Sequence, residues 1–314
     1  MQDVSTHSVS EQKITRALED IFRRTFYRYH GLRYDHLSLK GLREMHDDLL
    51  DHVAARTTEN PALDERSRAA LLTAAECSLG ILSVGCFPDG DQEIPLPFID
   101  EKLTSEEIFF GDDVIDQATT ARTWWDTFAI CLVSGLVWEW QRVIGLLLRD
   151  DYAPAIHDGV PYSKLTSVSA PADLAAMHAL CGYLTPASSH LPRDWPTTPL
   201  RRPDAGERAE AARRLDAAGP LAPDQRLLRV LLDDDQHAFE QALAARLTEH
   251  RTSLAPDPAP RSLLPLGPLA LAALAVQVHG WELDVRSGYL PHGLLGSPQA
   301  LRAAAKADES TLDC

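Results

Sequence analysis

Cysteine is scarce in this chain of 314 residues. Its five copies, Cys77, Cys86, Cys131, Cys181 and Cys314, are odd in number and widely scattered, with no Cys-x-x-Cys pair. That spacing argues against a disulfide or zinc framework and leaves small buried hydrophobes in a reducing compartment as the expectation, with Cys131 in the core. Gly-x-Gly-x-x-Gly, His-Glu-x-x-His, paired Glu-x-x-His and a Ser or Cys in a nucleophile elbow are also missing. Dehydrogenase, kinase, hydrolase, zinc-protease and di-iron readings therefore have no residues to carry them. The first thirteen residues lack the basic and apolar segments of a secretory signal. The longest apolar run, Leu263 to Val278, is short of a membrane span and contains Pro265, Gly267 and Pro268. A cytoplasmic location away from membranes is expected.

Positive charge is in deficit too. Thirty Lys and Arg face 46 Asp and Glu, a net charge of -16, on an otherwise ordinary globular balance of 45% apolar and 24% charged residues. The deficit is concentrated: from Asp89 to Asp116 ten carboxylates, Glu106, Glu107, Asp112, Asp113 and Asp116 among them, face the single Lys102. Such a field repels nucleic acid and anionic lipid and speeds encounter with basic proteins, although the same residues could simply solvate a loop. Those five carboxylates are the candidate partner contacts, with Trp124 and Trp125 as aromatic candidates whose alternative role is core packing.

What is abundant is helical periodicity. Ser8 and Glu11 spell a capping box before an apolar stripe of Ile14, Leu18, Ile21, Phe22 and Phe26, predicting a first helix over 9–29. A second runs from Leu39 to Arg56 on Leu42, Met45, Leu49, Leu50 and Val53. A third starts at Asn60-Pro61 and ends before Gly85. Residues 88–117 read as a long connection with room for one strand or helical turn. Thr120 to Arg149 reads as a buried helix that Gly135 could interrupt, Pro171 opens another helix, and 186–203 is a proline-rich loop. Asp204 and Glu207 form a capping box, Gly219-Pro220 ends that helix, Pro223 to Leu232 is the next, and Asp233 to Asp235 suit the positive end of a further one. A proline-rich linker, Pro256 to Pro260, precedes an apolar helix opened by Pro268 and stopped at Gly280, and Trp281 to Arg286 alternates as a short strand. The predicted fold is a single all-α domain over 1–314, built of antiparallel helical hairpins in a repeat-like or solenoid-like array, with no fixed sequence period.

Asp47-Asp48-Leu49-Leu50-Asp51 and Asp112-Asp113-Val114-Ile115-Asp116 both spell Asp-Asp-x-x-Asp, which resembles the magnesium motif of class I terpene synthases and prenyltransferases. On a helix Asp47, Asp48 and Asp51 could reach one hard cation, with Arg122 or Arg286 as a diphosphate contact. The second clamp of that pattern, Asn-Asp-x-x-Ser-x-x-x-Glu, has no counterpart here. Histidine offers less: His46 and His52 lie near these aspartates without a metal-binding spacing, and His52 reads as solvated or capping. His178 and His279 read as hydrogen-bonded core residues, and His250 as a last-turn residue favouring a helix C-terminus.

The C-terminal stretch carries a more specific likeness. Leu266, Gly267, Pro268, Leu269 and Ala270, then Glu282, Val285, Ser287, Tyr289, Leu290, Pro291, Leu294 and Leu295, resemble the immunity protein 49 family, found beside secreted polymorphic toxins in actinobacteria. Upstream, Trp124 to Cys131, Phe239 to Leu243 and Glu249-His250-Arg251 resemble its earlier helices. The resemblance covers about residue 65 to 295 and leaves the first sixty residues unmatched. It implies an all-helical cytoplasmic protein that binds and neutralises a toxin, without catalytic residues or cofactor. The charge balance suits a basic toxin and neither nucleic acid nor membrane. A magnesium-dependent prenyl diphosphate enzyme is the alternative, and a helical-repeat scaffold for several partners is the third reading.

Overall fold

The computed structural model describes residues 2–34, 37–87, 92–104, 119–139, 152–158, 169–185 and 200–296. Helix of all kinds accounts for 67% of them, twelve α-helices included, so the all-α class holds. The first expected helix is two: α1 (Glu11–Leu18) and α2 (Ile21–Tyr34), separated where Asp20 takes a left-handed φ of 46°. Ser10 stands at the N-cap of α1 without a side-chain cap bond, so the Ser8 capping box does not form.

Helix α3 (Leu39–Glu59) is capped by Ser38, whose hydroxyl accepts from the Gly41 N–H, and it buries Leu42, Met45, Leu49, Leu50 and Val53 as its periodicity predicts. Asn60 makes a local turn by accepting from the Ala62 N–H. Helix α4 (Glu65–Cys86) then starts five residues later than expected, on the Asp64 side chain, which accepts from Ser67 N–H at 2.8 Å. By length and composition α4 could cross a membrane, yet 83% of its apolar window is buried inside the protein. It is a core helix packed between α3 and the middle of the chain.

The connection after α4 holds an antiparallel hairpin of β2 (Glu93–Leu96) and β3 (Glu101–Thr104). Helix α5 (Ala121–Ser134) follows, with a Thr120/Thr123 capping box, and ends at Gly135, whose φ of 83° is the left-handed value that glycine adopts without a Cβ penalty. A 3-10 turn (Leu136–Trp138) comes next, and residues 140–149 of the expected helix lie outside the described residues. Short α6 (Ala153–Asp158) and α7 (Pro171–Cys181) precede α8 (Ala205–Ala217), which has the predicted Asp204/Glu207 box. Helix α9 (Pro223–Leu232) has the predicted bounds, and Asp235 caps α10 (Gln236–Ser253). A 3-10 segment (Pro260–Leu263), α11 (Leu266–Gln277), β4 (Val285–Ser287) and α12 (His292–Leu295) complete the order.

In a solenoid each repeat touches only its neighbours. Here α11 packs back on α5, and β1 (Gln2–Val4) pairs in parallel with β4, so the helical pairs close round a shared interior instead of extending as an open array. One contiguous buried cluster runs from Val4 through α3, α4, α5 and α9 to Leu294. The first sixty residues belong to that core through Ile21, Tyr29 and the inner face of α3.

Candidate functional site

Glu106, Glu107, Asp112, Asp113 and Asp116 lie outside the described residues, as does the second Asp-Asp-x-x-Asp motif. Trp124 and Trp125 are buried at 0% and 4% exposure, and Trp124 stacks on Phe128 with ring centroids 5.4 Å apart. Their aromatic surface is therefore spent on the interior between α4, α5 and α11, the core-packing alternative.

The first Asp-Asp-x-x-Asp motif is divided between two neighbours. Asp51 accepts from the Arg261 backbone N–H at 2.8 Å and from its guanidinium at 3.0 Å, while Asp47 meets the same guanidinium at 3.2 Å. Asp48, one residue on and so about 100° round the helix, accepts from Arg28 Nε at 2.8 Å and lies 3.8 Å from Arg24. Burial holds the Asp51 carboxyl pKa up despite Arg261. At Asp47 burial is outweighed by the His46 hydrogen bond and the Arg261 charge, and the pKa falls. The motif thus clasps the 260–263 turn on one side of α3 and α2 on the other. Arg122, the proposed diphosphate contact, pairs with Asp126 at 3.2 Å on α5. The other proposed contact, Arg286, is in β4, paired in register with Asp3.

A cleft of about 490 Å³ opens beside that clasp, lined among others by Arg43, His46, Arg122, Asp126, Asp224, Arg246 and Arg261, with Leu266, Gly267 and Pro268 at one wall. Its geometry explains one signature residue. Asp224 at the start of α9 accepts from Arg246 at 2.6 Å, and a Cβ at position 267 would stand 2.2 Å from its Oδ2. Glycine lets α11 begin against that carboxylate, where negative charge suits the helix dipole. The cleft's charges are largely matched internally, which makes it a packing junction of α3, α5, α9, α10 and α11. A larger cleft of about 720 Å³, lined by His157, His178, Arg201 and Glu207, lies at α6, α7 and α8.

Two histidine networks tie distant segments together. His279 donates to Asp234 at 2.7 Å and accepts from the Tyr183 hydroxyl at 3.0 Å, and Asp234 is also held by Arg202 and Arg208. Burial lowers the His279 pKa despite Asp234 and raises the phenol of Tyr183, which is fully buried. With its hydroxyl sealed in, this Tyr-His-Asp row is a structural tie. His7 joins the Tyr289 hydroxyl at 2.6 Å and Ser262 Oγ at 2.8 Å, while His250 donates to the Ser262 carbonyl at 2.8 Å. Burial lowers both imidazole pKa values, and His250 lies with Arg251 in the last turn of α10, where the sequence placed it. His52 is likewise buried, its Nδ1 3.1 Å from the Ala17 carbonyl, and not solvated. His178 is partly buried, against His157 at 5.3 Å.

The surface feature that the sequence reading missed is on α2. Ile21, Thr25, Tyr29 and Leu32 face inward; Arg24 and Arg28 reach Asp48, and Arg28 also Glu44; the Tyr29 hydroxyl donates to Glu101 of β3. Anchored from these sides, the helix presents Phe22, Arg23, Phe26, Tyr27, His30 and Tyr34 to solvent. Phe22, Phe26, Tyr27 and Tyr34, exposed by 45%, 37%, 62% and 67%, are the large exposed hydrophobics of the described residues. Their rings form a ladder: Phe22 on Phe26 at 6.5 Å, Phe26 on His30 at 4.7 Å, His30 on Tyr34 at 5.3 Å. The Arg23 guanidinium lies over Tyr27 at 5.4 Å. The sequence signal was available: aromatic rings recur every four residues from Phe22 to Tyr34, and no carboxylate interrupts them.

Comparison with known proteins adds the family. No curated protein and no solved structure matches the chain. The sequence pattern of the family described as immunity protein 49 matches residues 57–294, from the last three residues of α3 into α12. That span takes in the Gly267 junction and both histidine networks apart from His7, and it leaves α2 outside. With more than half of its length matched, the chain belongs to the immunity protein 49 family.

Proposed function

We propose that this protein is a cytoplasmic immunity protein that binds one cognate toxin domain stoichiometrically and occludes its active site. The observation that carries the reading is the family match over residues 57–294, since membership implies a toxin partner in general. The described geometry fits it. Titratable groups that cluster, at the Gly267 junction and in the two histidine networks, are turned to one another across element boundaries. Among the described residues four cysteines are buried and none is in a disulfide, which suits a reducing compartment. The excess negative charge would speed encounter with a basic toxin and weaken in salt. The prenyl diphosphate reading gains nothing, because Asp47, Asp48 and Asp51 are engaged by arginines on two different sides of α3.

The test is co-expression with the toxin encoded beside this protein. Growth should be restored and a complex of equal stoichiometry should co-purify, with an association rate that falls as salt rises. Continued killing at matched expression, or protection by substoichiometric amounts, would refute the reading.

A further inference from the structure

We infer that the solvent face of α2 is the docking surface for the toxin, and that it fits an apolar groove with a carboxylate opposite Arg23 on an otherwise basic surface. This rests on the immunity reading and goes beyond it by naming the surface and the chemistry of what covers it. A surface helix ordinarily turns its charged residues outward. Helix α2 does the reverse: its outer positions are aromatic apart from Arg23, without one carboxylate, on a chain whose net charge is -16. Exposed apolar patches of this kind mark interaction sites, and Tyr, Phe and Arg are the residues that dominate protein interfaces.

The face is also built in advance. Stacked rings at four-residue spacing, with Arg28 fixed between Glu44 and Asp48, leave little side-chain freedom to lose on association. The rings at i, i+4, i+8 and i+12 form a ridge along the helix surface, the shape that seats in a groove. Charge selects the occupant. Four arginines and no acidic residue lie on α2, and Arg23, held over Tyr27 in solvent, would meet a carboxylate at the groove edge. A second copy docked through the same face would bring two carboxylate-free helices together and offer Arg23 no acidic partner from α2. The face precedes residues 57–294, outside the part of the chain that the family pattern matches, where a contact particular to one toxin has room to differ.

The experiment measures the affinity of the purified full chain for the toxin domain encoded beside it, wild type against Arg23→Ala/Tyr27→Ala/Tyr34→Ala. Because these side chains are exposed, helical circular dichroism and the melting midpoint should stay unchanged. Affinity should fall about 100-fold or more, while Arg213→Ala/Arg214→Ala on the exposed side of α8 binds as wild type. If the triple variant melts early, Tyr27→Glu alone should show the same loss. Tight binding by wild type and by the folded variants alike would overturn the docking face and leave the immunity reading intact. A wild-type dimer that the variant dissociates would overturn it in favour of self-association. Failure of the wild type to bind the toxin would sink both.

Discussion

At the scale of single residues, Gly267 shows how a small side chain can govern a buried charge. Its missing Cβ is the space that Asp224 occupies, and Asp224 in turn neutralises Arg246, with side chains exposed by only 11% and 14%. Gly267→Ala should therefore displace the carboxylate, weaken the ion pair and cost about 2–4 kcal/mol of stability, read as a lower urea midpoint with the slope unchanged. Adding Asp224→Ala should cost less than the sum of the two single changes, since both act on one contact. The same scale shows what a sequence hides. Pairs of carboxylates at four-residue spacing invite a metal reading, and only the fold reveals that Arg261 and Arg28 approach α3 from different sides. Buried histidines such as His52 look like surface ones, because burial is decided by what packs over them.

At the scale of elements, local chemistry fixes boundaries where a single residue enforces them. Pro223 opens α9 and Asp204 and Glu207 open α8, both legible in advance because proline geometry and a reciprocal cap leave few alternatives, whereas Gly135, read as a site that could interrupt a helix running to Arg149, ends α5. The break at Asp20 was not legible, since a non-glycine residue takes a left-handed φ only when its surroundings demand it. That break also decides the fate of Phe22 and Phe26. Read as one continuous helix, they joined the inward stripe; after the turn, Ile21, Thr25, Tyr29 and Leu32 point inward instead and the phenylalanines face out. The candidate face thus depends on how α2 is held. Asp48→Ala should release Arg28 and Arg24, lower stability by about 1 kcal/mol because the pairs are partly exposed, and speed amide exchange along α2 more than along α3. Equal acceleration in both helices would show that Asp48 does not orient α2.

At the scale of the whole molecule, acid should act through histidine. Burial is the leading cause that lowers the pKa values of His7, His52, His178, His250 and His279 below the ordinary value of 6.5. The unfolded chain then binds protons more readily, so stability is complete above about pH 6.5 and declines as pH falls toward the depressed values. The melting midpoint should drop between about pH 7 and pH 5, and His7→Gln/His250→Gln should flatten that slope. A midpoint that rises with acid would contradict the assignment. Global closure was the least legible level, for pairing between the two ends of a sequence leaves no local pattern. Strand β1 finds its partner only at Val285 to Ser287. During synthesis β1 must therefore stay unpaired until residues 285–287 have been made, so a fragment ending before β4 should leave residues 2–4 open to proteases.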